Sequence, residues 1–146
     1  MGHYDYQKDL KEAVVVQKEA ADHIKRHFTN VTKIDYDNPT KDYDISCEVA
    51  GKLQTFEVKN ELMVEKTGNI AIEFQCRRKK SGLSITTADF WVEKIRGEFF
   101  LIRTEDLRYK ISHGEYDIVK TGGDPGSGAM FYLVKENKFK TWCERL

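Results

Sequence analysis

The sequence predicts one α/β domain with a mixed central sheet of about four strands flanked by helices, and three observations predict it. Apolar side chains recur at helical spacing from about Gln7 to Phe28. From Val31 to Arg103 apolar and polar residues alternate repeatedly with a period of two, interrupted by Gly-containing breaks. The chain has 146 residues, 40% hydrophobic and 33% charged, which suits a single globular unit over residues 1–146.

In order along the chain, the first helix carries Leu10, Val14, Gln17, Ala21, Ile24 and Phe28 at three- and four-residue steps, with Glu19 at the edge of that stripe. Lys25, Arg26 and His27 suit its negative pole. His23 and His27 are four apart, but no third ligand accompanies them, and they read as helix surface. Val31 to Tyr36 is a strand, and Asp37-Asn38-Pro39-Thr40 a turn by residue type. Asp44 to Val49 and Leu53 to Lys59 alternate on either side of Ala50-Gly51-Lys52, the pattern of a β-hairpin. Ile70 to Cys76 alternates again and is expected as a third strand beside the Glu57 strand, with Ile70, Ile72 and Phe74 on one face and Ala71, Glu73 and Gln75 on the other.

Ala88 to Ile95 and Glu98 to Arg103 form a hairpin about Arg96-Gly97, with Phe90, Trp91, Phe99 and Phe100 expected in the core. Thr104 is expected to cap a short helix ending near His113-Gly114. Tyr116 to Lys120 and Ala129 to Val134 are paired strands around a Gly-rich loop that is read as a flexible tip reaching DNA, and Glu136 to Leu146 a closing helix.

The central hairpin carries the chemistry. On its second strand Glu57 and Lys59 share one face, opposite Phe56 and Val58, and Asp44 comes from the start of the partner strand. Two carboxylates and a lysine there can hold a hard divalent cation and act on a phosphodiester. The plain alternative is a charged surface strand, and the chain has a second such triplet, Glu136-Asn137-Lys138, in a polar run with no function assigned to it.

Net charge is zero, so DNA binding cannot rest on a basic excess. The charge is segregated, however. Asp35, Asp37, Asp42, Asp44 and Glu48 precede the hairpin turn, whereas Arg77, Arg78, Lys79 and Lys80 form a basic block leading into Ser81, Thr86 and Thr87. That block offers cations, hydroxyls and amides to phosphate oxygens. Cys47, Cys76 and Cys143 are odd in number and far apart, which fits a reducing cytosol rather than a disulfide framework or a cysteine zinc site. No apolar run approaches a membrane span, and the polar stretch Tyr4 to Glu12 does not read as a secretory leader.

Asp44 followed by Glu57-Val58-Lys59, with Glu19 in the preceding helix and the blocks Thr67–Phe74 and Ser81–Trp91 downstream, resembles the PD-(D/E)xK nuclease superfamily, in particular its small phage and Holliday-junction-resolvase-like branch. The likeness runs from Glu19 to Ile95, about half the chain; Pro39 is not adjacent to the acid, so the "PD" dipeptide itself is absent.

The resemblance implies a restriction-endonuclease-like fold and a Mg²⁺-dependent DNA endonuclease, with Mn²⁺ able to substitute, acting in phage or cellular recombination and repair. Asp44 and Glu57 would bind metal, as would the Val58 carbonyl, and Glu19 would bind it directly or support those that do. Lys59 would orient or deprotonate the attacking water. Glu73 would lie near the site, with Gln75 on the same face by alternation, the product would carry a 5′ phosphate, and the substrate would be branched or double-stranded DNA; a chain this short is expected to gain its selectivity as a homodimer. A non-catalytic DNA-structure-binding module or recombination subunit with the same fold is the alternative.

Overall fold

The computed structural model describes residues 6–37, 42–122 and 128–146. In chain order these form α1 (Tyr6–His27), β1 (Val31–Asp35), β2 (Ile45–Val49), β3 (Lys52–Glu61), α2 (Val64–Thr67), β4 (Asn69–Cys76), β5 (Lys79–Lys80), a 3₁₀ turn (Gly82–Ser84), β6 (Phe90–Ile95), β7 (Glu98–Arg103), α3 (Thr104–Ser112), β8 (Ile118–Gly122), β9 (Ala129–Lys135), α4 (Glu136–Trp142) and β10 (Glu144–Arg145).

The strands make two sheets: a six-stranded one in the order β1-β2-β3-β6-β7-β10, and a four-stranded one in the order β5-β4-β9-β8. The larger sheet is mixed, because β3 and β6 run parallel while its other pairs are antiparallel. Parallel neighbours require a long crossover, and here residues 62–89 supply it, carrying α2, β4, β5 and the 3₁₀ turn.

The period of two sorts each central strand onto two cores. Phe56, Phe90, Val92, Phe99 and Leu101 face α1, where Val16, Ala20, Ala21 and Ile24 close the layer. Trp91, Ile95, Phe100 and Ile102 face the other way, onto Ile70, Ile72 and Val134 of the smaller sheet, Leu107 and Ile111 of α3 and Phe139 of α4. The aromatics of the β6–β7 hairpin are core residues, as expected.

The β2–β3 turn is Ala50-Gly51, both at positive φ (52° and 82°), the left-handed pair that a tight hairpin turn of matching twist requires. No helix among the described residues is long and apolar enough to cross a membrane.

Four expectations are corrected. The strand Asn69–Cys76 has the predicted inward Ile70 and Ile72, but it pairs with β5 and β9, and the place beside β3 belongs to β6. Local alternation specifies which face of a strand is buried, and long-range pairing then selects its neighbour. The larger sheet has six strands rather than about four. Thr104 does not cap α3: it is the first helical residue, Arg103 of β7 holds the cap position without a side-chain bond, and the buried Thr104 Oγ1 has no partner. The strand runs straight into the helix and leaves no capping residue between them. Finally, the closing helix stops at Trp142, and Glu144–Arg145 pairs with Leu101 and Phe100 along the edge of β7. The turn at Asn38-Pro39-Thr40 and the Gly-rich tip at 123–127 lie outside the described residues.

Candidate active site

The face of β3 that turns away from α1 carries Glu57, Lys59 and Glu61 in a row. Asp44 joins them from the residue just before β2. Its backbone N–H donates to the Phe56 carbonyl at 3.0 Å. Its Oδ2 accepts the Val58 N–H at 2.8 Å, and its Oδ1 accepts from Gln17 Nε2 of α1 at 3.3 Å. Three contacts from two elements, β3 and α1, therefore fix this residue, two of them on its carboxylate.

Lys59 Nζ lies 3.4 Å from Glu57 Oε1 and 5.6 Å from the centre of the Trp91 ring. Asp44, Glu57 and Lys59 line one cavity of about 430 Å³, whose far wall is Gly82, Thr86 and Thr87. Gly82 belongs there for a steric reason. Its φ is +50°, and a Cβ would fall 2.2 Å from the Glu73 carbonyl oxygen, so the chain passes at a distance only glycine permits.

Burial pushes the Glu57 carboxyl up to about 7; the neighbouring Asp44 carboxylate adds to the rise and Lys59 opposes it. Burial alone would lower the Lys59 ammonium, but Glu57, Asp44 and Glu93 together hold its pKa above the ordinary value. Lys59 is thus a cation and a hydrogen-bond donor at neutral pH. Glu57 holds a proton more tightly than an ordinary carboxyl, and a cation binding there would have to displace it. The donor set fits Mg²⁺ or Mn²⁺ in kind: two hard carboxylates at an open cavity, with space for the waters that Mg²⁺ retains. It is sparse in number, since among the described residues no group of three or more His, Cys, Asp or Glu side chains is arranged around a metal position.

The other expected residues divide. Glu19 does not line the cavity; it pairs with Lys94 at 3.1 Å, and Gln17 is the residue of α1 that reaches Asp44. Val58 is held through its N–H. Thr86 and Thr87 line the cavity, with Thr86 buried and Thr87 exposed. Ser81 sits just before Gly82, its buried Oγ without a partner. Arg77 and Arg78 form the exposed turn between β4 and β5, both at positive φ, and Lys79 and Lys80 follow, also exposed. None of the four lines the cavity. Gln75 pairs across to Lys80 and Met130.

Glu73 lines a second cavity, of about 460 Å³, which has Lys59 in common with the first. Sequence reasoning missed two acids there. Glu61 accepts the Met63 and Ala71 N–H groups at 3.2 and 2.9 Å, and burial raises its pKa. Glu93 is 1% exposed, accepts Trp91 Nε1–H at 3.0 Å, and is pushed by burial up to about 8. The available signals were a glutamate inside the apolar run Phe90-Trp91-Val92-Glu93 and a glutamine inside the apolar stripe of α1. No family model, curated protein or solved structure matches this chain.

Proposed function

We propose that this protein is a divalent-metal-dependent DNA endonuclease with a restriction-endonuclease-like core, in which Asp44 and Glu57 bind the metal and Lys59 assists hydrolysis. The observation that carries the reading is the convergence of these three side chains on one open cavity. The path α1, β1–β3, crossover, β6 supports it, since it supplies a helix and a four-strand mixed core bearing the site.

A bound Mg²⁺ or Mn²⁺ would offset negative charge at the phosphoryl oxygens and lower the pKa of a water. The chain's own residues do the rest. Asp44 is held rigid by Gln17 and the Val58 amide, so it keeps its orientation as ligand. Lys59, kept protonated, donates to a phosphate oxygen or to the lone pair of the attacking water and acts as an orienting cation rather than a base. The water oxygen bonds to phosphorus, the P–O3′ bond breaks, the water's proton leaves to solvent through the open mouth, and the departing O3′ takes up a proton from solvent. Thr87 and the exposed Arg77–Lys80 turn suit flanking phosphates. Branched DNA and a homodimer remain part of the proposal, because a small domain gains selectivity by placing two sites on a two-fold substrate.

The test is cleavage of an end-labelled four-way junction and a matched linear duplex with Mg²⁺, Mn²⁺ or EDTA, using wild type and Lys59→Ala. Metal-dependent cuts that vanish in the variant are expected, symmetric and stronger on the junction. A folded protein that binds DNA without cutting would instead make it a DNA-structure-binding module.

A further inference from the structure

The second cavity has no part in the chemistry described so far. At about 460 Å³ it falls in the size range of sites that enclose small organic groups. Its walls are largely apolar, formed by Trp91, Phe131, Leu133 and Leu62. Glu93 also lines it, 1% exposed, with Oε1 held by the Trp91 indole and Oε2 without a partner. Buried polar atoms rarely go unpaired, so Oε2 marks where a ligand atom belongs. Along the parallel β3–β6 ladder Glu93 stands level with Lys59, and Trp91 level with Glu57. The two cavities therefore adjoin, and Lys59 lines both.

We propose that this cavity receives one unstacked nucleobase of the DNA whose backbone lies at Asp44, Glu57 and Lys59, and that Glu93 recognises its hydrogen-bonding edge. This rests on the nuclease reading and adds to it a substrate class: DNA with an unpaired base beside the phosphate that is cut. Three features match a base. Its flat faces suit the partly exposed Phe131 and Leu133 walls. Its edge of donors and acceptors suits a carboxyl group, which accepts when ionised and both donates and accepts when protonated. A base is also one sugar away from a phosphate, as this cavity is one residue, Lys59, away from the other. Leu62 is 73% exposed, so the apolar wall extends to the solvent side. A bulged or mismatched base suits such a pocket because its unstacking costs least.

The test uses fluorescence anisotropy in EDTA with two labelled duplexes, one bearing a single unpaired nucleotide and the other an abasic residue in its place. Wild type should bind the first about tenfold more tightly, the scale of a base held against aromatic side chains. Glu93→Leu should lose most of that ratio. Leu62→Ala, a surface change that spares the core, should reduce it about threefold, with abasic binding unaltered in both.

Equal binding of the two duplexes by wild type would overturn the proposal, as would a full ratio in both variants or no DNA binding at all. Tight binding of a free deoxynucleoside monophosphate, with no gain from the unpaired base in DNA, would also overturn it. Cleavage of the same duplexes in Mg²⁺ separates the two readings. Cutting without base preference removes the pocket and leaves the nuclease; base preference without cutting does the reverse.

Discussion

Two Glu-x-Lys triplets in this chain have opposite fates. Glu57-Val58-Lys59 lies on a strand, so its charged side chains share a face and meet each other at 3.4 Å. Glu136-Asn137-Lys138 opens a helix, and its charges point apart. Glu136 pairs with Arg96 at 3.0 Å and Lys140 one turn on at 2.6 Å, while Lys138 pairs with Asp117 at 3.4 Å. The electrostatics diverge accordingly. Glu57 is pushed up to about 7 by burial, whereas hydrogen bonds from Arg96 and Lys140 hold Glu136 below its usual value. The same three letters give a site with a held proton in one place and a settled surface network in the other, because backbone period and burial differ.

The sharpest way to break this comparison is by activity. Lys59→Ala is predicted to lower kcat/KM for DNA cleavage about 10²–10⁴-fold, and Lys138→Ala to leave it within about twofold, measured under single-turnover conditions. Comparable losses in both would erase the distinction.

Metal affinity is the next lever. Below about pH 7 a proton competes for Glu57, so apparent Mn²⁺ affinity should rise about tenfold per pH unit up to that point and then level off. Calorimetric titration at several pH values checks this. Lys59→Ala should move the plateau to higher pH, because Lys59 favours the ionised Glu57.

Stability should carry opposite signs at the two triplets. Glu57 at about 7 and Glu93 at about 8 both stand above their ordinary 4.5. Their contribution is therefore full below pH 4.5 and is lost as pH rises through 7 to 8, on the order of a few kcal/mol in all. Glu136 is depressed, so its contribution is present above the ordinary carboxylate range and lost as pH falls through its lowered pKa. Thermal melts should show Glu93→Gln flattening the alkaline decline and Glu136→Gln leaving it unchanged.

The smallest expected effect is that of Glu136→Gln itself at neutral pH. Its partners Arg96 and Lys140 are partly solvated, so Tm should fall by only a few degrees.

Much of this was legible in local pattern. The central hairpin, the inward faces of β3 and β4, and the β6–β7 hairpin all follow from alternation, and Asp44, Glu57 and Lys59 followed from the hairpin. What stayed hidden depends on contacts distant in sequence. Nothing near Ile70 tells it to pair with Val134 rather than with β3. The parallel step from Lys59 to Glu93 joins residues separated by the whole crossover. Glu93 therefore looked like an interruption in an apolar strand, and Gln17 like one more member of a helical stripe. Glu19 was the better metal ligand by residue type, but Lys94 on β6 claims it.

The short pairing of Glu144–Arg145 with β7 has a consequence for how the protein behaves at high concentration. Strand β7 reads Glu98-Phe99-Phe100-Leu101-Ile102-Arg103, a run of strong β-formers, and β10 is its only neighbour on the outer side among the described residues. The Leu146 N–H adds a further bond, to the Phe99 carbonyl at 2.9 Å. Those last residues act as a guard against strand addition. Deleting 143–146 would bare an apolar edge able to template pairing with another chain. The shortened protein should self-associate in light scattering at concentrations where the full chain does not, and a lysine placed at Leu101 would worsen folding rather than restore solubility, because Leu101 is also a core residue.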